Sequence, residues 1–259
     1  MCYLLKLDIC VKDEAIDYAN EKFFADEQDL VEDYLCTLYM NGQIYIDYSL
    51  IKAGQHRYYA FVNVPQVESI EEKYNNEYVN RSYKYIDIKI QEAEKNISYN
   101  PNCNCKIIPY YILSPDYEIG TSSPLICGKC GNEIPLYKIP HLFNEKEHYS
   151  LLKYQKIYAS VYELYFQSLS DRFTKNQLVN HNSALNKKAF EIREELEEKM
   201  GKPVYVDLPR GLLNWRGAKK DYGEKCPKCG KNLVKCEYQL CSDEMLKCDD
   251  CRLITDTTE

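Results

Sequence analysis

Histidine is scarce: His56, His141, His148 and His181 are the only four in 259 residues, too scattered to suggest a base beside a nucleophile. No Gly-rich phosphate loop, no His-Glu-x-x-His and no Gly-x-Ser-x-Gly occurs. The commonest signatures of phosphoryl transfer, zinc proteolysis and nucleophile-elbow hydrolysis are therefore missing, and no enzyme is expected. No apolar run approaches the ~18 residues of a membrane span. The start, Met1-Cys2-Tyr3-Leu4-Leu5-Lys6-Leu7-Asp8, lacks the charged, apolar and cleavage regions of a signal peptide. The expectation is a cytoplasmic chain with no membrane partner.

Cysteine, by contrast, is abundant, with thirteen residues. In a reducing compartment an odd total of that size points to metal ligands and free thiols rather than disulfides. Cys226-Pro-Lys-Cys229 and Cys248-Asp-Asp-Cys251 stand 18 residues apart, the spacing at which two tight turns present four thiolates to one Zn²⁺. Gly230 follows the first turn, where inward N–H groups leave little room for a Cβ. This pattern predicts a C-terminal zinc ribbon. A second set, Cys103-Asn-Cys105 with Cys127-Gly-Lys-Cys130-Gly131, predicts a second structural zinc site. Two other readings stay open there: Cys127 and Cys130 as a redox pair, against which Gly131 and Pro135 argue for a loop, and His141 or His148 in place of one thiolate. A catalytic zinc keeps an open position, which four thiolates would fill; a metal-dependent enzyme is thus the weakest alternative. Cys2, Cys10 and Cys36 are expected as small buried apolar residues. Cys236 and Cys241, between the ribbon's knuckles, could pair or substitute for a ligand.

Periodicity predicts an α+β fold: a small antiparallel sheet with helices, a helical hairpin and the ribbon. Leu5, Leu7 and Ile9 alternate with Lys6 and Asp8, a strand with one buried face. Val31, Leu35 and Leu38 recur at helical spacing, and Asn41-Gly42 closes that helix. Strands are predicted over 44–48 and 59–64, and a helix from Ile70 to Ala93. The resulting β-α-α-β-β-α order fits a ferredoxin-like or related sandwich. Stripes at Leu151, Tyr154, Tyr158, Val161 and Tyr165, and at Leu185, Ala189, Ile192 and Leu196, predict an antiparallel helical pair. Val204–Leu208 reads as a short strand. The segmentation is then 1–100, an α+β domain; 101–140, a zinc-knuckle segment; 141–208, the hairpin and short strand; and 209–259, a basic linker with the ribbon.

The formal charge of −7 is uneven. Residues 1–100 carry about −8 and residues 201–235 about +6. The acidic N-terminal part suits a basic protein partner steered by charge, with Glu27, Asp29, Glu32 and Asp33 as the candidate face. Arg210, Trp215, Arg216, Lys219 and Lys220 interleave an aromatic with cations and are the candidate nucleic-acid contacts. Twenty-five tyrosines, beside many Asn, Ile and Lys, read as the drift of an AT-rich coding sequence rather than as a binding surface.

Three stretches carry a likeness: Met40-Asn-Gly-Gln-Ile44, Ser123 through the Cys127–Cys130 turn to Pro140, and Lys247-Cys248-Asp-Asp-Cys251-Arg-Leu253-Ile254. With them the chain resembles a bacterial family of zinc-ribbon-containing proteins of uncharacterised function, for which nucleic-acid binding has been suggested. The acidic N-terminal part and the Trp215–Lys220 segment depart from that likeness. Charge and missing catalytic motifs together favour a non-catalytic zinc protein binding a basic protein, in the manner of an immunity protein capping a toxin domain. Nucleic-acid binding through 201–235 is the alternative.

Overall fold

A computed structural model describes residues 2–13, 26–96, 102–115, 123–209, 225–240 and 243–256. The chain divides into two compact units: unit 1 is Met1–Asn102 with Pro135–Tyr149, and unit 2 is Cys103–Ile134 with Ser150–Glu259. These boundaries differ from the four consecutive segments expected, because each unit is built from two separate pieces of chain. Among the described residues no helix is long and apolar enough to cross a membrane.

Unit 1 contains β1 (Cys2–Val11), α1 (Glu27–Met40), β2 (Tyr48–Gly54), β3 (Arg57–Val64), α2 (Glu77–Ser82) and β4 (Ile86–Asn96). Its antiparallel sheet runs β2-β3-β1-β4. This is the βαββαβ ferredoxin-like arrangement. Leu5, Leu7, Ile9 and Val11 of β1 and Tyr58, Ala60, Val62 and Val64 of β3 alternate onto one face. There they meet Val31, Tyr34, Leu35 and Leu38 of α1 and Val79 of α2 in one core. Asp26 caps α1, and Asp29 returns a bond to the Asp26 N–H, closing a capping box.

The helix expected from Ile70 to Ala93 is not formed. Residues 67–74 make two 3₁₀ turns, α2 is short, and β4 begins at Ile86. Ile86, Ile88 and Ile90 pair with Val11, Ile9 and Leu7 while Asp87 and Lys89 turn away, a period-2 pattern in β-branched residues. The first hairpin strand likewise starts at Tyr48 rather than Ile44.

Gly42 adopts φ +75°, and a Cβ there would collide with Leu136 and the Tyr137 backbone. This contact brings Pro135–Tyr149 onto the end of α1. His141 Nε2 lies 3.1 Å from Asn41 Oδ1, and the His148 N–H donates to the Met40 carbonyl at 2.8 Å. Gln43 Nε2 donates to the Ser69 carbonyl at 2.9 Å, and Asn41 Nδ2 to the Tyr74 carbonyl at 2.8 Å. His148 is fully buried, its ring centroid 4.6 Å from that of His141. Burial and then the neighbouring His141 push its pKa down to about 3, so it is neutral in the fold.

Unit 2 holds β5 (Tyr111–Leu113), β6 (Leu125–Cys127), α3 (Tyr149–Phe166), α4 (Asp171–Val179), α5 (Ala184–Met200), β7 (Val204–Asp207), β8 (Val234–Leu240), β9 (Asp243–Cys248) and β10 (Leu253–Asp256). The expected stripes on α3 and α5 are buried. The pair is interrupted by α4, which buries only Thr174 and Leu178 and so lacks an apolar stripe to read. Asn186, buried, ties α5 to α4 by donating to the Gln177, Leu178 and Asn180 carbonyls. Gly201 ends α5 in the left-handed conformation, φ +64°. The six strands form one mixed sheet in the order β6-β5-β7-β10-β9-β8, with β7 parallel to both neighbours. The short strand expected at 204–208 thus joins the ribbon to the strands beside the other cysteine set.

Candidate metal centres

Both predicted cysteine sets assemble. Cys103, Cys105, Cys127 and Cys130 form one group, and Cys226, Cys229, Cys248 and Cys251 the other, with all four Sγ atoms of each group within 4.8 Å of one another. The Cys103–Cys130 and Cys229–Cys248 sulfurs are 3.6 and 3.7 Å apart. A tetrahedron with metal–sulfur bonds of about 2.3 Å has edges of about 3.8 Å, so either group fits one ion.

Each turn is shaped by its own backbone. The Cys127 N–H donates to the Asn132 carbonyl and the Gly131 N–H to the Cys127 carbonyl, at 2.9 and 2.8 Å. Cys226 and Gly230 repeat both bonds, to the Lys231 and Cys226 carbonyls, at 2.8 and 2.9 Å. Gly131 and Gly230 have φ +72° and +73°, and each turn is closed by an isolated bridge, Ile126 to Glu133 and Lys225 to Asn232. N–H groups also point at sulfur: Cys105 N–H to Cys103 Sγ and Lys129 N–H to Cys127 Sγ, both 3.4 Å. Burial pushes the Cys103 and Cys251 thiols up, whereas the Lys231 backbone N–H leads in pulling Cys229 down to about 7. A divalent cation would hold the whole set as thiolates and leave a net charge of −2.

The third turn departs from the other two. After Cys251 comes Arg252, not glycine, yet it takes φ +52°. Its guanidinium compensates: Nε donates to both Glu197 carboxylate oxygens at 3.1 and 3.2 Å, and an Nη donates to the Asp249 carbonyl at 2.8 Å. Glu197 lies on α5 and also accepts from the Val204 N–H, so one carboxylate ties helix, strand and knuckle together.

Several supporting residues escaped the sequence reading. Buried Glu133 accepts from the Ser123 N–H with its carboxylate and from the Cys103 N–H with its carbonyl, setting the Cys-x-Cys turn beside the knuckle. Gly128 lies against the Tyr110 ring, which a Cβ would strike. Tyr110 meets Tyr205 edge-on at 5.2 Å, and the Tyr205 hydroxyl donates to Asp249 in the other group's turn. The two groups are therefore linked through neighbouring strands.

His141 and His148 belong to unit 1, and each cysteine group is complete without them. Cys10 and Cys36 are exposed rather than buried, Cys10 because it lies on the outer sheet face opposite Leu7 and Ile9. Cys236 is half-buried in β8 with its pKa pushed up to about 11 by burial, and Cys241 lies outside the described residues. Of the candidate acidic face, Glu27 contacts His56 Nδ1 at 2.8 Å, Asp29 serves the capping box, Glu32 accepts from Gln28, and burial raises the pKa of Asp33. Arg210, Trp215, Arg216, Lys219 and Lys220 lie outside the described residues.

Residues 105–208 match a family described as a domain of unknown function, DUF2310. The chain is also similar to two proteins of Haemophilus influenzae, each described as an uncharacterized protein. One is 24% identical over 215 residues, covering 74% of both chains. The other is 27% identical over 143 residues, covering 53% of this chain and 66% of the relative. No solved structure matches.

Proposed function

We infer that this is a non-catalytic protein held in shape by two structural Zn²⁺ ions, which acts by binding a macromolecule. The observation that carries the reading is the completeness of both cysteine groups. Four thiols converge at each, N–H groups are aimed at sulfur, and no ligand position is left for substrate or water. Zinc suits an all-thiolate tetrahedron better than the oxygen-seeking cations do.

Net charge favours a basic protein as partner, of the kind an immunity protein caps, since unit 1 carries about −8 and unit 2 about +1. Against that version, two of the four α1 carboxylates expected to form the acidic face have internal work. Glu27 holds His56, and Asp29 closes the helix N-terminus.

The test is native mass spectrometry of the gently purified protein. Two zinc ions per chain are expected, released together with structure by a chelator. A single zinc, or an unchanged fold after complete metal removal, would count against the reading.

A further inference from the structure

Among the described residues, the helices of unit 1 cover one face of its sheet. On the other face Tyr59 and Phe61 of β3 project two positions apart, about 6.6 Å along the strand, each half-buried. The pairing register sets Lys6 opposite Phe61 and Asp8 opposite Tyr59 on β1, and Lys89 of β4 opposite Asp8. Exposed Ile51 of β2 lies across from Tyr59 on the outer side. Lys6 Nζ sits 3.7 Å from the Tyr59 ring centroid and the Arg57 guanidinium 5.4 Å.

Charge on this face runs opposite to that of its unit. Arg57 grips the Asp8 carboxylate at 2.6 and 2.9 Å. Arg57 first, and then Lys6 and Lys89, hold the Asp8 carboxyl below its ordinary range, placing three cations around one anion. Asp87, at the sheet margin, is paired with Lys12 at 3.2 Å. Among the described residues the middle of the face thus carries two adjacent rings and an excess of two positive charges, while the unit as a whole is acidic.

We propose that this outer sheet face binds single-stranded nucleic acid, with bases stacked on Tyr59 and Phe61 and phosphates held by Lys6, Arg57 and Lys89. Half-buried rings at alternate strand positions accept bases of any sequence on their open faces, because every base has a π face. A duplex, whose bases are already stacked on each other, cannot use them. Lys6, which now covers the Tyr59 ring, would exchange that contact for a phosphate. A basic protein is the wrong partner for this face, since it would meet three cations. The proposal rests on the macromolecule-binding reading and names the partner's class and its site.

The experiment is fluorescence anisotropy of the zinc-loaded full-length protein with labelled dT15 and rU15, a 15-base-pair duplex and a labelled oligolysine. Binding of either single strand over duplex is expected, with roughly 10-fold loss for Tyr59→Leu and again for Phe61→Leu, and retention in Tyr59→Phe. Lys6→Gln with Lys89→Gln should make the slope of log affinity against log salt shallower by about 1.4 on a single strand. Circular dichroism and zinc content control for folding; a variant failing either is replaced by Lys6→Gln with Lys89→Gln alone. Equal binding of duplex, no binding at 50 mM salt, or affinity indifferent to both sets of variants would overturn the proposal. Oligolysine binding, or a stoichiometric protein in the native spectra, would overturn it while leaving the macromolecule-binding reading intact.

Discussion

Unit 1 and unit 2 each build a sheet, and they secure its ends by different means. In unit 1 the end of α1 and the following turn are fastened by Asn41, Gln43 and Ser69 and by the Gly42 contact with Leu136, with Gln43 and Ser69 next in the chain to Ile44 and Ile70 of a continuous apolar core. In unit 2, β6 runs into Cys127 and β9 into Cys248, so the strand ends continue straight into thiol clusters. Hydrogen-bonded turns need neighbours that fit; thiol clusters need an ion. The first kind is vulnerable to shape, the second to chemistry.

The largest effect expected from this contrast is chelation. Structural zinc in small domains contributes on the order of 10 kcal/mol to folding, so EDTA with a thiol-selective chelator should abolish hydrogen-exchange protection across β5 to β10 while β1, β3 and α1 keep theirs. Equal loss in both units would break the comparison. Next in size is Gly42→Ala, which combines a positive φ with a backbone collision and should cost at least about 3 kcal/mol in urea unfolding of unit 1. Gly230→Ala, which meets open space, should cost about 1–2 kcal/mol and weaken zinc retention instead.

Acid supplies a third test. The pKa of His148 is depressed in the fold, so the unfolded chain binds a proton that the native one refuses. Stability should therefore fall as pH drops from about 6.5 towards about 3, by up to about 1.4 kcal/mol per pH unit. His148→Gln should remove that slope from unit 1, read as the pH dependence of the urea midpoint rather than its absolute value. The smallest effect is reserved for Arg252→Gly, which relieves a left-handed non-glycine residue but loses the partly exposed Glu197 contacts. A net change within about 1 kcal/mol is expected, because the two terms are of similar size and opposite sign.

The cysteine groups were legible because thiol spacing is a covalent constraint written along the chain: Cys226, Cys229, Cys248 and Cys251 needed no tertiary information to be grouped. The period-2 alternation of β1 and the helical stripe over Val31–Leu38 were readable for the same reason, each being a local pattern with a large apolar contrast. β4 was missed because Ile86, Ile88 and Ile90 sit beside Tyr-rich, mixed-charge residues that also match a helix, and only pairing with β1 decides between them. The outer face of the sheet was hidden for a different reason. Tyr59 and Phe61 are two of many aromatics, and their common direction depends on which neighbours of β3 fill the core. Arg252 could not have been read as a left-handed residue, since what permits it is Glu197, 55 positions earlier.

The interleaving of the two units has a consequence for the order of synthesis. A nascent chain extended to Ile134 already holds Cys103, Cys105, Cys127 and Cys130, a full set of ligands for one ion. It still lacks Leu136, His141 and His148, which complete the contacts around Asn41 and Gly42 in the unit whose strands were made first. It also lacks β7, the second of the two strands that β5 pairs with. Unit 1, although its four strands are already made, must therefore wait for its last fifteen residues, and the first metal centre can load before the sheet of unit 2 is finished.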